Sequence, residues 1–132
     1  MTDAAKPSEP PDQFLYLTTV GRKSGLPRRI EIWYTVLDGR YYLISELRER
    51  AQWVQNLQAE PRVSIEVAGW HGEGRGRVVD PAQQPGLASA VGARFEAKYG
   101  WSDGLIVEVE PRESAPRGAA GPPIEPAAGG SL

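Results

Sequence analysis

Residues 28–45, RRIEIWYTVLDGRYYLIS, decide the fold that we predict for this chain. Apolar and polar side chains alternate from residue 28 to residue 36, which is typical of a strand with one face in a core. The apolar positions are Ile30, Ile32, Tyr34 and Val36. Asp38-Gly39 predicts a tight hairpin turn, and residues 41–45 provide the partner strand. The stretch therefore predicts one continuous strand over 28–36, joined by a hairpin to a second strand.

The flanking sequence extends this pattern. Further strands are predicted at 14–20, 63–67, 75–79 and 105–109, with a flexible turn at 70–74. Apolar residues recur every three positions over 48–59, which predicts a short helix. Asp80-Pro81 predicts the cap of a second helix that becomes regular from Leu87. Strands joined by hairpins and by only a few short helices favour a mainly β (α+β) protein, a small antiparallel barrel.

The length allows one domain, which we place at residues 13–111. The chain has 132 residues, and its Gly and Pro residues are spread unevenly. Residues 1–12 and the Pro-, Gly- and Ala-rich residues 112–132 contain little that could form a core. We expect both ends to be disordered, because neither can bury enough surface to offset the entropy of ordering.

The composition excludes several classes of function. The chain has no cysteine and one histidine, which excludes disulfides, a thiol nucleophile, Cys-bound zinc and a His-rich metal site. No apolar run reaches the roughly 20 residues of a membrane span, and no signal peptide is recognised, so we expect a cytoplasmic protein with no integral membrane segment. A formal net charge of −2 argues against a nucleic-acid partner.

The candidate functional segment is residues 18–29, TTVGRKSGLPRR. Four cations, Arg22, Lys23, Arg28 and Arg29, fall within eight positions between two predicted strands. The glycines allow a close approach of the backbone, and Ser24 adds a hydroxyl group. Guanidinium and ammonium groups in this arrangement suit a phosphate or a carboxylate. A solvated basic hairpin loop is the alternative interpretation.

Three motifs carry a family resemblance: TTVGRKSGLPR at 18–28, DGRYYLIS at 38–45 and WVQNLQAEPRV at 53–63. Their order and spacing resemble those of the deazaflavin-dependent nitroreductase family, which belongs to the split-barrel flavin-binding oxidoreductases. The resemblance implies a split barrel of six or seven strands and the cofactor F420, a reduced deazaflavin with an anionic phosphate and glutamyl tail. It also implies an oxidoreductase that transfers a hydride to a small electrophile, namely a quinone, a nitroaromatic compound or an enone.

The resemblance assigns roles to particular residues. The residues implied to bind the cofactor are Arg22, Lys23, Ser24, Arg28, Arg29, Ile30, Glu31, Ile32, Trp33, Ile44, Ser45, Gln52, Trp53 and Asn56. In this assignment the basic loop holds the tail, the strand and its neighbour flank the ring, and the helix closes the pocket. For catalysis, we expect the hydroxyl group of Ser45 or Tyr42 to donate a hydrogen bond to the developing oxyanion of the acceptor.

Alternatives remain open at this point. FMN is a second candidate cofactor, because residues 46–50, ELRER, lack a lysine that family members commonly carry after the third strand. The chain would otherwise be a non-catalytic carrier of an anionic flavin-type cofactor, or an interaction domain whose basic hairpin and Trp33 meet an acidic partner. A homodimer is compatible with the resemblance.

Overall fold

Seven antiparallel strands and two helices form a curled half-barrel in the computed structural model, which describes residues 14–112. The strands are β1 (Phe14–Val20), β2 (Pro27–Trp33), β3 (Thr35–Leu37), β4 (Arg40–Ser45), β5 (Arg62–Val67), β6 (Trp70–Val78) and β7 (Leu105–Pro111). The helices are α1 (Gln52–Ala59) and α2 (Pro85–Tyr99), and a 3-10 turn covers Arg48–Arg50. The predicted fold class is confirmed. The predictions for the two chain ends lie outside the described residues, except at Arg112, which extends the pairing of β7 with β6 by donating its backbone N–H to the Glu73 carbonyl (2.7 Å).

The prediction of one continuous strand over 28–36 is wrong. The sheet order is β2-β1-β5-β6-β7-β4-β3, so β2 and β3 lie at opposite edges and the chain crosses between them at Tyr34. The Tyr34 backbone loses its ladder partners there, and the Tyr99 hydroxyl group of α2 replaces them. It accepts from the Tyr34 N–H (3.1 Å) and donates to the Tyr34 carbonyl (2.9 Å). Alternation persists through the break, which hides it in the sequence.

Two apolar clusters hold the fold together. The first lies between the curled sheet and α1, and it includes Leu17, Leu43 and Val54. The second lies between the sheet and α2, and it includes Val91 and Phe95. Strand β4 separates the clusters, because successive side chains of a strand point to opposite faces. Tyr41 and Leu43 of β4 belong to the first cluster, whereas Tyr42 and Ile44 belong to the second.

One predicted turn and one predicted helix differ from the structure. The predicted flexible turn at 70–74 is part of β6, and the turn is instead at Ala68 and Gly69, with φ of 49° and 80°. The β6 glycines serve packing, since a Cβ atom at Gly76 would overlap the Leu57 side chain of α1. The helix predicted at 48–59 is interrupted at Ala51 (ψ 136°), so that α1 begins at Gln52.

The second helix begins later than Asp80 and earlier than the predicted Leu87. The Asp80 carboxylate accepts from the Ala82 N–H (2.9 Å) and closes a local turn. Helix α2 then starts at Pro85. Proline is well suited to this position, because the backbone N–H that it lacks would have no partner in the first turn of a helix. Within residues 14–112, neither helix is long and apolar enough to cross a membrane.

Candidate active site

A cavity of about 580 Å³ lies where the half-barrel stays open, between β2, the end of β4 and the start of α1. This volume is within the range of small-molecule sites. The lining residues are Gly21, Arg22, Lys23, Ser24, Arg28, Ile30, Ile32, Ile44, Ser45, Glu46, Leu47, Ala51, Gln52, Trp53 and Asn56. The list contains eleven of the residues that the resemblance assigned to the cofactor, so the fold brings three separate motifs to one cavity.

The basic loop between β1 and β2 is held compactly by its own hydrogen bonds. The Gly21 N–H donates to the Leu26 carbonyl (2.8 Å), and the Gly25 N–H donates to the Gly21 carbonyl (2.8 Å). Ser24 Oγ accepts from the Leu26 N–H (3.1 Å) and from Arg28 Nη2 (3.3 Å). A Cβ atom at Gly21 would lie 2.7 Å from Ser24 Oγ and 3.1 Å from the Leu26 carbonyl oxygen, so a larger residue would displace the Ser24 side chain. The loop thereby presents its cations on a fixed backbone.

Two amides of α1 anchor Arg22. The Arg22 backbone N–H and Nη1 both donate to Asn56 Oδ1, at 3.1 and 2.8 Å, and Nη2 donates to Gln52 Oε1 (2.9 Å). Asn56 is buried, and its Nδ2 donates in turn to Thr19 Oγ1 (3.4 Å). The amide of Asn56 therefore joins the end of β1, the basic loop and α1. Arg22 is oriented by the protein before any ligand arrives.

The rest of the cavity is an apolar slot. Its walls are formed by Ile30, Ile32, Ile44, Leu47, Ala51 and Trp53. Side chains of this kind suit a flat aromatic ring, whereas the adjoining Arg22, Lys23 and Arg28 suit an anionic group. The residues present thus fit a molecule with a flat ring at one end and negative charge at the other, as in a flavin or deazaflavin cofactor. Among the described residues, no three His, Cys, Asp or Glu side chains converge as metal ligands.

Three of the residues assigned to the cofactor lie outside the cavity. Arg29 and Glu31 face the outer side of the sheet, where Arg29 pairs with Glu66 (3.1 Å) and Glu31 accepts from the Tyr16 hydroxyl group (2.9 Å). Trp33 packs in the second cluster and stacks on Tyr99, with ring centroids 4.3 Å apart. Strand alternation explains this placement, because Ile30 and Ile32 face the cavity and their neighbours must face away.

The two residues expected to assist catalysis have different positions. Ser45 lines the cavity, but it is buried and its Oγ donates to the Arg48 carbonyl (3.0 Å). Tyr42 is outside the cavity, because β4 turns it towards α2, where its hydroxyl group donates to Glu108 Oε2 (2.7 Å). Burial and this hydrogen bond raise the pKa of Tyr42. Burial opposes ionisation of Glu108, yet hydrogen bonds from Arg77 and Tyr42 lower its pKa overall. Tyr42 therefore belongs to a structural network.

Four lining residues are absent from the set that the resemblance assigned to the cofactor: Gly21, Glu46, Leu47 and Ala51. Gly21 follows a predicted strand directly and precedes the cations, which was a usable signal. Ala51 falls within the helix predicted at 48–59; the structure keeps it in the first apolar cluster, and at the break before α1 it also lines the cavity. Glu46 and Leu47 carry no pattern of their own, since their position depends on where β4 ends.

The fold and the cavity define a split-barrel protein with a site for a flat, anionic cofactor. The sequence profile of the F420H(2)-dependent quinone reductase family matches residues 7–100, which is more than half of the chain. The chain therefore belongs to this family, and it is an F420-dependent reductase whose cofactor is coenzyme F420. The resemblance to deazaflavin-dependent oxidoreductases is confirmed. No curated protein sequence matches the chain.

Solved structures share the fold. An F420-H2 dependent reductase (FDR-A) is 20% identical, with a TM-score of 0.55 over 74% of this chain and 94% of its own. A conserved hypothetical protein from Mycobacterium tuberculosis is 22% identical, with a TM-score of 0.62 over 78% of this chain and 75% of its own. The haem storage protein HutZ from Vibrio cholerae is 20% identical, with a TM-score of 0.56 over 76% of this chain and 82% of its own. At these identities the comparisons establish the fold alone.

Proposed function

We propose that this protein reduces a quinone-type acceptor with reduced F420 bound in the cavity between β2, β4 and α1. The observation that carries the proposal is the cluster of Arg22, Lys23 and Arg28 beside an apolar slot in one cavity. When bound, reduced F420 supplies a hydride, and a quinone that gains this hydride and one proton becomes a hydroquinone. A nitroaromatic compound or an enone would accept the same two electrons, and these remain alternative acceptors.

The basic loop would hold the phosphate and glutamyl tail of the cofactor. Lys23 and Arg28 carry no ion pair to an acidic residue within the described range, so their charges are available to an anion. Arg22 donates to neutral amides, which orient its guanidinium group without neutralising its charge. Preorganised cations of this kind bind an anion with little further loss of side-chain entropy.

The apolar slot would hold the ring and exclude water from the reacting face. Trp53 stands at the first turn of α1, and Ile44 closes the slot from the second strand wall. A dry environment favours hydride transfer over side reactions with solvent. The acceptor would enter on the same open side of the barrel, because the cavity is lined on its other sides by strands and by α1.

Ser45 is the remaining candidate for contact with the acceptor. Its hydroxyl group would assist an oxyanion only if the hydrogen bond to the Arg48 carbonyl were exchanged for one to the acceptor. If that exchange occurs, Ser45→Ala lowers kcat and leaves F420 affinity unchanged. An unchanged kcat would assign Ser45 to the support of the turn at Arg48, where φ is 55°.

The test is a comparison of binding and turnover. F420 is titrated by fluorescence quenching, and oxidation of reduced F420 by a naphthoquinone is followed without oxygen. We expect Arg22→Ala/Lys23→Ala to lose both F420 binding and the oxidation of reduced F420 by the quinone. The control Arg62→Ala/Arg75→Ala removes the same charge from exposed residues outside the cavity lining and should keep both.

Each alternative has its own outcome in this experiment. Binding without turnover by any acceptor would indicate a carrier. Binding of FMN in place of F420 would keep the fold and change the chemistry. Binding of neither would favour an interaction domain. The predictions of a homodimer and of a cytoplasmic location are unaffected by these outcomes and stay predictions.

A further inference from the structure

The cavity carries charge of both signs, and the negative charge comes from one residue. Its cations come from the β1–β2 loop and β2, whereas Glu46 stands on the opposite wall, directly after β4. Glu46 is exposed and has no ion pair within 4.0 Å among the described residues. Arg48, the nearest arginine in sequence, pairs with Asp103 (3.2 Å) and is absent from the cavity lining. The carboxylate of Glu46 is therefore uncompensated.

An exposed apolar side chain continues the slot beside this carboxylate. Leu47 lines the cavity, yet its side chain remains largely exposed, at 55%. Burial of such a side chain on ligand binding is favourable. Glu46 and Leu47 are thus two adjacent, exposed lining residues, one negatively charged and one apolar.

We propose that Glu46 selects the acceptor by charge, so that the enzyme prefers neutral or cationic acceptors and discriminates against anionic ones. This inference rests on the proposed function, because it assigns the cationic wall to the cofactor tail. Once the tail neutralises Arg22, Lys23 and Arg28, Glu46 is the remaining charge of the cavity. An acceptor that bears a carboxylate then meets repulsion at the entrance, whereas one that bears an ammonium group is attracted.

The test uses three naphthoquinones that share the same ring system and the same alkyl linker. The linker ends in a hydroxyl, a carboxylate or a trimethylammonium group. Because the ring is constant, ratios of kcat/KM report the effect of charge. We expect Glu46→Gln to raise the ratio of anionic to neutral acceptor about fivefold and to lower the ratio of cationic to neutral acceptor by a similar factor. Glu46→Lys should extend both changes. About 1 M salt should compress the wild-type preference, because the Debye length falls to about 3 Å.

The matched control is Glu49→Gln. Glu49 is an exposed carboxylate three positions away that is not among the lining residues, so its removal should leave the ratios unchanged. Equal effects of the two variants would overturn the proposal, because the preference would then come from general surface charge. Tighter binding of F420 by Glu46→Gln, with unchanged acceptor ratios, would also overturn it and would place the carboxylate beside the cofactor tail.

Failure of the proposed function has a distinct signature. If wild type oxidises reduced F420 with none of the three quinones, the proposed function is refuted and the inference falls with it. If wild type turns over all three at rates that neither Glu46 variant alters relative to one another, only the charge selection by Glu46 is refuted.

Discussion

The Asn56 amide offers the sharpest test of how the site is built. In Asn56→Ala, Arg22 loses the acceptor of its backbone N–H (3.1 Å) and of Nη1 (2.8 Å). The neutral hydrogen bond contributes about 1 kcal/mol and the charged one about 1.5–3 kcal/mol. Because Arg22 is partly exposed, we expect the free energy of unfolding to fall by an amount near the lower end of their sum, roughly 2–3 kcal/mol. We also expect about tenfold weaker F420 binding, since a freed Arg22 must be ordered again on binding.

Urea unfolding and F420 titration measure the two effects separately. Asn56→Asp keeps an acceptor oxygen for Arg22, so it should recover most of the lost stability. It also places a negative charge against Arg22, so its F420 affinity should stay low. Gln58→Ala, at an exposed position of the same helix, is the control. If Asn56→Ala matches this control in both stability and F420 affinity, the Asn56 amide does not anchor Arg22.

Other predictions concern packing and titration. Gly76→Ala should cost about 1–3 kcal/mol in urea unfolding, because its Cβ overlaps a side chain of α1, whereas Gly92→Ala, with open space around it within α2, should stabilise by about 0.5–1 kcal/mol. The lowered pKa of Glu108 contributes stability that is present above its ordinary pKa of 4.5 and is lost as the pH falls below it. Glu108→Gln should therefore lower the free energy of unfolding at pH 7 by about 2 kcal/mol; the loss is no larger because the Arg77 side chain is half exposed. The difference between wild type and Glu108→Gln should shrink when unfolding is measured at acid pH. The raised pKa of Tyr42 has its effect at alkaline pH, because the folded state keeps a proton that the unfolded state releases above pH 10. Wild type should therefore lose stability above pH 10, and Tyr42→Phe should lose less over that range.

Local patterns predicted most of the elements correctly. Alternation identified β5, and β-branched and aromatic residues identified β1. Asp38-Gly39, where φ is 54° and 76°, identified the hairpin and with it β4. The break at Tyr34 was hidden, because its side chain continues the alternation while its backbone leaves the ladder. The Tyr99 hydroxyl group and Lys98 Nζ, both on α2 and more than 60 positions away in sequence, show that the backbone is bonded elsewhere.

The site was predictable where its residues belong to local motifs. Arg22, Lys23 and Arg28 cluster in sequence and line the cavity as expected. Arg29 and Trp33 were assigned to the cofactor as neighbours in a continuous motif, although the alternation of their own strand already indicated the face away from the cavity. The stretch 46–50 was singled out for its missing lysine, but the sequence alone does not show that Glu46 lines the cavity, because its place depends on where β4 ends.

Neighbouring arginines on opposite faces of β2 provide the most direct test of the central claim. Arg28 lines the cavity, whereas Arg29 pairs with Glu66 on the outer face. F420 is titrated against wild type, Arg28→Ala and Arg29→Ala by fluorescence quenching at low salt. We expect F420 to bind wild type, to bind Arg28→Ala about tenfold more weakly, which corresponds to one charged contact, and to bind Arg29→Ala within twofold of wild type. Equal losses in the two variants, or no binding of F420 by wild type, would contradict it.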